Sequence, residues 1–108
     1  MLLKSYKIII SEEVEINLQK QVDYITFEQQ DPLAAQIWLD GIKKSIRSLS
    51  ILPERFAVAH ENSADNKRLK TTIRHLIYKK SFRIIFTIIR NEVIILNIKH
   101  SAQRIAIH

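Results

Sequence analysis

The chain has 108 residues, a formal net charge of +6 and no cysteine, so we expect one domain over residues 1–108 with neither disulfides nor a thiolate metal site. No apolar run approaches the roughly 20 residues of a membrane span, and the first ten residues lack the features of a signal peptide. These properties predict a cytoplasmic protein without membrane association, cofactor or metal.

The first elements along the chain are a short strand and a helix. Residues 5–10 are rich in β-branched side chains and predict a strand. Ser11 suits a helix N-cap, and the glutamates after it suit a first turn, where the helix dipole favours carboxylates. We expect this helix to end near Gln30. Its apolar stripe consists of Val14, Leu18, Val22 and Ile25.

A second helix is predicted to begin at Asp31-Pro32 and to reach about Leu52, where Pro53 stops it. So short a connection makes the two helices antiparallel neighbours. Gly41, the only glycine, lies inside this helix at a cost of about 1 kcal/mol relative to alanine, which we attribute to close approach of the two helices. The inward stripe consists of Ala35, Trp38, Leu39, Ile42, Ile46 and Leu49.

Three further strands are predicted after a loop over residues 53–69. Residues 71–77, 82–89 and 93–99 are β-branched and aromatic, and the breaks between them are too short for crossover helices. They therefore form an antiparallel meander, with Asn91 as a left-handed turn residue. The resulting order is β-α-α-β-β-β, an α+β fold with the helical hairpin packed on one face of a mainly antiparallel sheet.

The basic residues are concentrated in the last part of the chain. Residues 67–108 contain 10 Lys/Arg and one Asp/Glu, whereas residues 1–66 contain 7 and 10. This block indicates either a surface for phosphates or an acidic polypeptide, or a solvated face with no partner. Alternation in the middle strand places Arg83 on the face opposite Phe82 and Phe86. That second face is apolar along most of its length, so we expect a partner segment to bury part of it.

The order of basic and aromatic residues in the second half follows a family pattern. Arg74 precedes the run Phe82-Arg83-Ile84-Ile85-Phe86, and a hairpin and a β-rich strand lead to Lys99-His100 and Arg104. The chain resembles the RelE/ParE toxin superfamily in this order, and the likeness extends over about residues 5–104. The resemblance implies a toxin of a bacterial type II toxin–antitoxin system, often called a plasmid-stabilisation protein. It also implies neutralisation by a cognate antitoxin, which we expect to be acidic.

Two branches of this superfamily act differently. RelE-like members cut mRNA in the ribosome, and ParE-like members poison DNA gyrase. In a nuclease, Arg83 would clamp the phosphate with Arg74 beside it, and His100 would be the acid. However, nuclease members carry lysines on the strand before the first arginine, whereas this chain has Thr71, Thr72 and Ile73 there, with Lys70 just before the strand. Nuclease members also carry a tyrosine in the tail, and none follows His100 in this chain.

The ending after the last strand is more similar to the ParE branch, so we predict a ParE-like toxin acting on gyrase. A RelE-like, ribosome-dependent mRNA endonuclease is the first alternative. A non-toxic nucleic-acid-binding module is the second, although it lacks a stacking platform because Phe82 and Phe86 are needed for the core.

Six residues are expected to contact the target or the antitoxin. They are Lys70, Arg74, Arg83, Lys99, His100 and Arg104. In the structural alternative, Arg74 and Arg83 pair with helix carboxylates such as Asp23 or Glu28, and His100 ends its strand without chemistry. No set of His, Asp and Glu has the spacing of metal ligands.

Overall fold

The computed structural model describes residues 3–60 and 71–100. The predicted α+β order is confirmed, because two packed helices lie between the first strand and a three-stranded meander. In chain order the elements are β1 (Lys7–Ile10), α1 (Glu12–Asp23), a π-helix (Tyr24–Glu28), α2 (Pro32–Ser48), a 3-10 turn (Pro53–Arg55), β2 (Ile73–Tyr78), β3 (Phe82–Ile89) and β4 (Glu92–His100). None of the helices described in these ranges could cross a membrane.

Both predicted helix starts are confirmed by capping hydrogen bonds. The Ser11 hydroxyl accepts from the amide of Val14 at 3.2 Å, and the Asp31 carboxylate accepts from the amide of Ala34 at 3.0 Å. These bonds satisfy amides that the first turn of a helix leaves without a partner. A π-helix of five residues follows α1. Gln30 then has a positive φ of 52°, and at this residue the chain changes direction before α2 begins.

The predicted end of α2 at Leu52 is wrong, since the helix ends at Ser48. The chain leaves the helix early because its next residues pair with the segment before β1. The amide of Tyr6 donates to the carbonyl of Ser50 at 2.7 Å, and Ser5 forms a bridge with Ile51. This pairing ties the end of the helical hairpin to the start of the sheet.

The sheet has the order β1-β4-β3-β2. The three later strands form the expected antiparallel meander, and β1 lies at the edge, parallel to β4. A β-bulge interrupts the β3–β4 pairing, because Ile85 pairs with Asn97 and Phe86 with Ile95, which leaves Leu96 without an opposite residue. As a result Ile95 and Ile98, three residues apart, both contribute to the same core.

The main core lies between the helices and one face of the sheet, called here the helix face, which carries Phe82, Ile84 and Phe86. The opposite face, called the outer face, carries Arg83, Ile85 and Thr87. Alternation along β3 predicted this division. The helix stripes supply most of the remaining core side chains, which are Val14, Leu18, Ile25, Ala35, Trp38, Ile42, Ile46 and Leu49.

The structure gives a different reason for the glycine at position 41 from the one predicted. A Cβ atom built on it would overlap the hydroxyl oxygen of Tyr78 and lie 3.0 Å from its Cζ. The close approach is therefore between α2 and a β2 side chain, and not between the two helices. The Tyr78 hydroxyl donates to the carbonyl of Trp38 at 2.9 Å, so the absent side chain makes room for this buried hydrogen bond.

Part of the predicted loop after α2 pairs with β2. The amide of Ala59 donates to the carbonyl of Ile73 at 2.8 Å, and the amide of His75 donates to Ala57 at 3.0 Å. Ala59 is buried with Ile73 and Ile85 in a second, smaller apolar cluster on the outer face. The turn between β3 and β4 also differs from prediction, since the left-handed residue is Arg90, with a φ of 57°, and not Asn91.

Candidate functional site

Arg74 lies on the helix face of the sheet, near its β2 edge. It pairs with Phe86 of β3 in the register, and its Nη1 donates to the carbonyl of Phe56 at 2.8 Å. The Phe56 ring packs edge-on against Phe86, with 6.1 Å between centroids. This half-buried arginine therefore holds the segment after α2 against the sheet. Its hydrogen-bond partner is a backbone carbonyl, and not the Asp23 or Glu28 carboxylate of the structural alternative.

Arg83 lies on the outer face and is buried, with 4% of its surface exposed. In the register it pairs with Ile77 of β2 and Lys99 of β4. Its Nε donates to Nδ1 of His75 at 3.0 Å, and its Nη2 lies 2.9 Å from the same nitrogen. Because guanidinium nitrogens only donate, Nδ1 must accept, so the ring proton belongs on Nε2.

His75 is a residue that the sequence pattern did not single out. Alternation indicated that His75 faces away from Arg74. It did not indicate that His75 lies diagonally opposite Arg83, which is on the neighbouring strand β3. The signal available in the sequence was the short turn between β2 and β3, because the length of a hairpin turn sets which residues pair.

His100 is the last residue of β4 and lies on the helix face opposite Phe82. The two rings meet edge to face, with 4.7 Å between centroids and 86° between planes. Phe82 meets Trp38 in the same manner at 5.1 Å and 66°. A row of three rings thus joins the half-buried imidazole to α2, and this contact fixes where the imidazole can lie.

The structure does not bring the three candidate catalytic residues together. The expectation that Arg74 stands beside Arg83 is wrong, because pairing with Phe86 and with Lys99 puts the two arginines on opposite faces. His100 shares a face with Arg74 but lies at the other end of the strands, opposite Phe82. Lys99 shares the outer face with Arg83. Lys70 and Arg104, the other two predicted contact residues, lie outside the described residues.

Two titrating groups near the strand ends have shifted pKa values. The pKa of Glu54 lies below 4.5, chiefly because a backbone amide and the Tyr6 hydroxyl, 2.9 Å away, donate to its carboxylate. The nearby charges of Lys4 and Arg74 act in the same direction. Burial raises the pKa of Tyr78 above 10.0, which keeps its hydroxyl protonated as the donor to α2.

A groove of about 420 Å³ lies between the two helices and β1. Its floor is apolar, and its rim carries Glu15 and Gln19 from α1 and Lys43 and Arg47 from α2. The floor residues are Ile8, Ile10, Leu18, Leu39 and Ile46. The sequence did not predict this groove, because it depends on β1 taking the edge position beside β4.

In residues 3–60 and 71–100, no three His, Cys, Asp or Glu side chains come close enough to hold a metal ion. The described side chains are mainly basic, aromatic and apolar, with Glu15 and Gln19 on the rim of the groove. Such side chains can bind an anionic or apolar partner. The three predicted nuclease residues are divided between the two faces of the sheet, with Arg83 on the outer face and Arg74 and His100 on the helix face.

Residues 8–105 match the family model described as the ParE toxin of the type II toxin–antitoxin system parDE. A solved structure entitled "Chromosomal ParDE TA system from P. aeruginosa" shares the fold, with a TM-score of 0.69 and 16% sequence identity. That alignment covers 90% of this chain and 97% of the other. No curated protein sequence matches the chain.

Proposed function

The chain belongs to the ParE toxin family of type II toxin–antitoxin systems, and on this premise we propose that it inhibits bacterial growth by acting on DNA gyrase. We propose further that an acidic antitoxin neutralises it and that the pair serves plasmid stabilisation in the cytoplasm. The observation that carries the proposal is the family match, which extends over residues 8–105.

The positions of the candidate catalytic residues support gyrase over mRNA cleavage. Cleavage needs a base, a phosphate clamp and an acid within hydrogen-bond reach of one phosphodiester. Here Arg83 is buried on the outer face, and Arg74 and His100 lie on the helix face. Arginine also stays protonated at physiological pH, so neither Arg74 nor Arg83 can act as the base.

The charge distribution supports neutralisation by an acidic partner. Residues 67–108 carry 10 Lys/Arg against one Asp/Glu, and the cationic side chains Lys79, Lys80 and Arg90 are exposed at the strand turns. A segment rich in carboxylates would reduce the repulsion among these cations. Such a segment can be disordered when free and fold on binding, which suits a partner that must cover a large surface.

The proposal is tested with the purified chain in two parallel reactions. Gyrase supercoiling should be inhibited in proportion to the amount of chain added, whereas mRNA in translating ribosomes should show no new cuts. His100→Gln serves as the internal test. In a nuclease this change would lower the cleavage rate by about 10²–10⁴-fold, and in a gyrase poison it should weaken growth inhibition only in step with gyrase affinity.

Growth provides the second measurement. Expression of the chain alone should arrest bacterial growth, and co-expression of the protein encoded in the adjoining reading frame should restore it. Normal growth at confirmed soluble expression would contradict the toxin proposal. Ribosomal A-site cuts that disappear in His100→Gln would instead identify an mRNA endonuclease.

A further inference from the structure

We propose that the end of the sheet formed by the β2–β3 turn and the end of β4 binds the phosphate backbone of duplex DNA. This surface, called here the cationic end, consists of Lys79, Lys80, Lys99 and His100. The inference rests on the proposed action on gyrase, since an enzyme that supercoils DNA holds a duplex within reach of a bound toxin. It adds a second contact of the toxin and the chemistry of that contact.

The β2–β3 turn carries two lysines in a backbone conformation that disfavours lysine. Lys79 and Lys80 have φ values of 49° and 62°, which lie in the left-handed region that glycine and asparagine adopt at lower cost. Both side chains are exposed. Lysine at these two positions therefore lowers the stability of the fold, and what it adds is positive charge at the tip of the hairpin.

A buried ring supports one of these charges. The Nζ atom of Lys79 lies 5.6 Å from the centroid of the Tyr78 ring. That ring is held in place, because the Tyr78 hydroxyl donates to the carbonyl of Trp38 at 2.9 Å. An ammonium group that already rests against a fixed ring loses less side-chain entropy when it binds a phosphate. Lysine binds phosphate as a point charge and needs no particular orientation, so this position suits the ligand.

The end of β4 places further basic side chains beside the turn. In the register, Tyr78 pairs with Phe82 and Phe82 pairs with His100, so the ends of the three strands lie in one row. Two steps between neighbouring strands amount to about 10 Å. Lys99 precedes His100 and is only partly buried. Duplex DNA carries one negative charge per about 1.7 Å of its axis, so several phosphates fit along this row.

The one carboxylate among the four strands lies far from the cationic end. Glu92 is the only Asp or Glu in residues 67–108, and it begins β4 whereas His100 ends it. At about 3.4 Å per residue this separation is roughly 27 Å. The Debye length at physiological salt is about 8 Å, so Glu92 is screened from the cationic end. The basic side chains therefore repel one another without compensation from the strands, and a bound phosphate would relieve that repulsion.

The turn is tested with variants that separate charge from folding. Lys79→Asn with Lys80→Gly, called here the uncharged turn variant, removes both charges and supplies residues that favour left-handed backbone. Its melting temperature should rise by about 4 °C or more, so weaker binding could not be attributed to a failure to fold. The variant should bind a short fluorescent DNA duplex about tenfold more weakly at low salt. Lys79→Arg with Lys80→Arg keeps the charge and should keep most of the affinity.

The salt dependence of binding measures how many phosphates the turn contacts. The logarithm of the binding constant falls linearly with the logarithm of the salt concentration, and each phosphate contact contributes about one unit of slope. The uncharged turn variant should therefore lose about two units of slope. A change in fold stability alone would leave the slope as it is in the native chain.

A matched control is needed because a net charge of +6 attracts any DNA. Lys4→Gln with Lys7→Gln also removes two charges from exposed positions. The Nζ atom of Lys4 likewise lies over a tyrosine ring, and Lys7 pairs with Glu92 at the opposite end of β4. This control should leave the slope nearly unchanged. Equal losses of slope in the two double variants would overturn the role of the turn.

Poly-glutamate is the probe for an acidic polypeptide at the same surface. An extended polypeptide carries one carboxylate per about 3.4 Å, half the charge density of duplex DNA, so it should bind the native chain more weakly at equal salt. Equally tight binding of poly-glutamate that is also lost in the uncharged turn variant would identify an acidic polypeptide as the ligand. That result would overturn the inference.

Gyrase separates the DNA contact from the proposed function. The uncharged turn variant should bind gyrase in the absence of DNA as the native chain does, and it should inhibit supercoiling less. Unchanged inhibition by a variant that has lost duplex binding would overturn the inference and leave the proposed target intact. A native chain that does not inhibit gyrase would refute the proposed target, while duplex binding that depends on the turn would still support the cationic end as a DNA site.

Discussion

Replacement of Gly41 by alanine should destabilise the protein, although alanine is the better helix former. In an open helix interior the substitution gains about 1 kcal/mol. Here the new methyl group would overlap the Tyr78 hydroxyl and lie 3.0 Å from its Cζ. The tyrosine is buried and packs edge-on against Trp38, with 6.1 Å between ring centroids, so it cannot move without disturbing the core.

The magnitude follows from the two interactions that Tyr78 would lose. Displacement of its hydroxyl breaks the 2.9 Å hydrogen bond to the Trp38 carbonyl, which contributes about 0.5–1.5 kcal/mol. Forcing a methyl group into a packed interior costs about 1–3 kcal/mol more. With the gain in helix propensity subtracted, the free energy of unfolding should fall by about 0.5–3.5 kcal/mol. In a domain of this size, each kcal/mol corresponds to a fall in Tm of about 4 °C or more.

The assay is urea unfolding of four proteins: the native chain, Gly41→Ala, Tyr78→Phe and the double variant. Phenylalanine removes the oxygen that the methyl group would overlap, so Gly41→Ala should cost less in that background, with a coupling free energy of about 1–2 kcal/mol. Lys44→Ala, at an exposed position of the same helix, is the control and should change stability by less than about 0.5 kcal/mol. A more stable Gly41→Ala protein would refute the reasoning, because helix propensity alone predicts that result.

Three further outcomes are expected. Arg83→Met should lower the free energy of unfolding by about 1–3 kcal/mol, since it removes the buried donors to His75; an unchanged urea midpoint would show that this contact contributes nothing. Because folding lowers the pKa of Glu54, its carboxylate stabilises the folded state above pH 4.5, and this stabilisation is lost as the pH falls below that value. In Glu54→Gln, the free energy of unfolding should therefore depend less on pH in that acidic range. Arg74→Ala should accelerate hydrogen exchange at the Ala59 amide while exchange in β3 stays unchanged; equal acceleration in both would indicate global destabilisation instead.

The sequence predicted most of the fold because local chemistry decides it. Ser11 and Asp31 cap helices through side chains that need only the next three residues, and both helix starts were correct. Alternation along β3 likewise assigned Phe82 and Phe86 to the covered face. Each of these features depends on neighbours within a turn or a strand, which is the range over which propensity and periodicity act.

The site could not be predicted to the same degree, because it depends on pairing between distant segments. The faces of Arg74 and Arg83 follow from the register of β2 on β3, which the local sequence does not fix. The carbonyl that Arg74 binds lies 18 residues before it, on a segment that looked like an irregular loop. Gly41 was recognised as unusual, but its partner Tyr78 comes from another element of the fold.

The β-bulge in β4 determines the faces of the residues that follow it. Leu96 is the inserted residue, and beyond it the order of sides along the strand is reversed. If Leu96 instead paired with Ile85 in regular alternation, each later residue of β4 would move back by one position, so that Lys99 would lie opposite Phe82 on the helix face and His100 would turn to the outer face, which carries Arg83. The bulge therefore decides which of the two neighbouring residues, the lysine or the imidazole, shares a face with the buried guanidinium, with no change in any of the three.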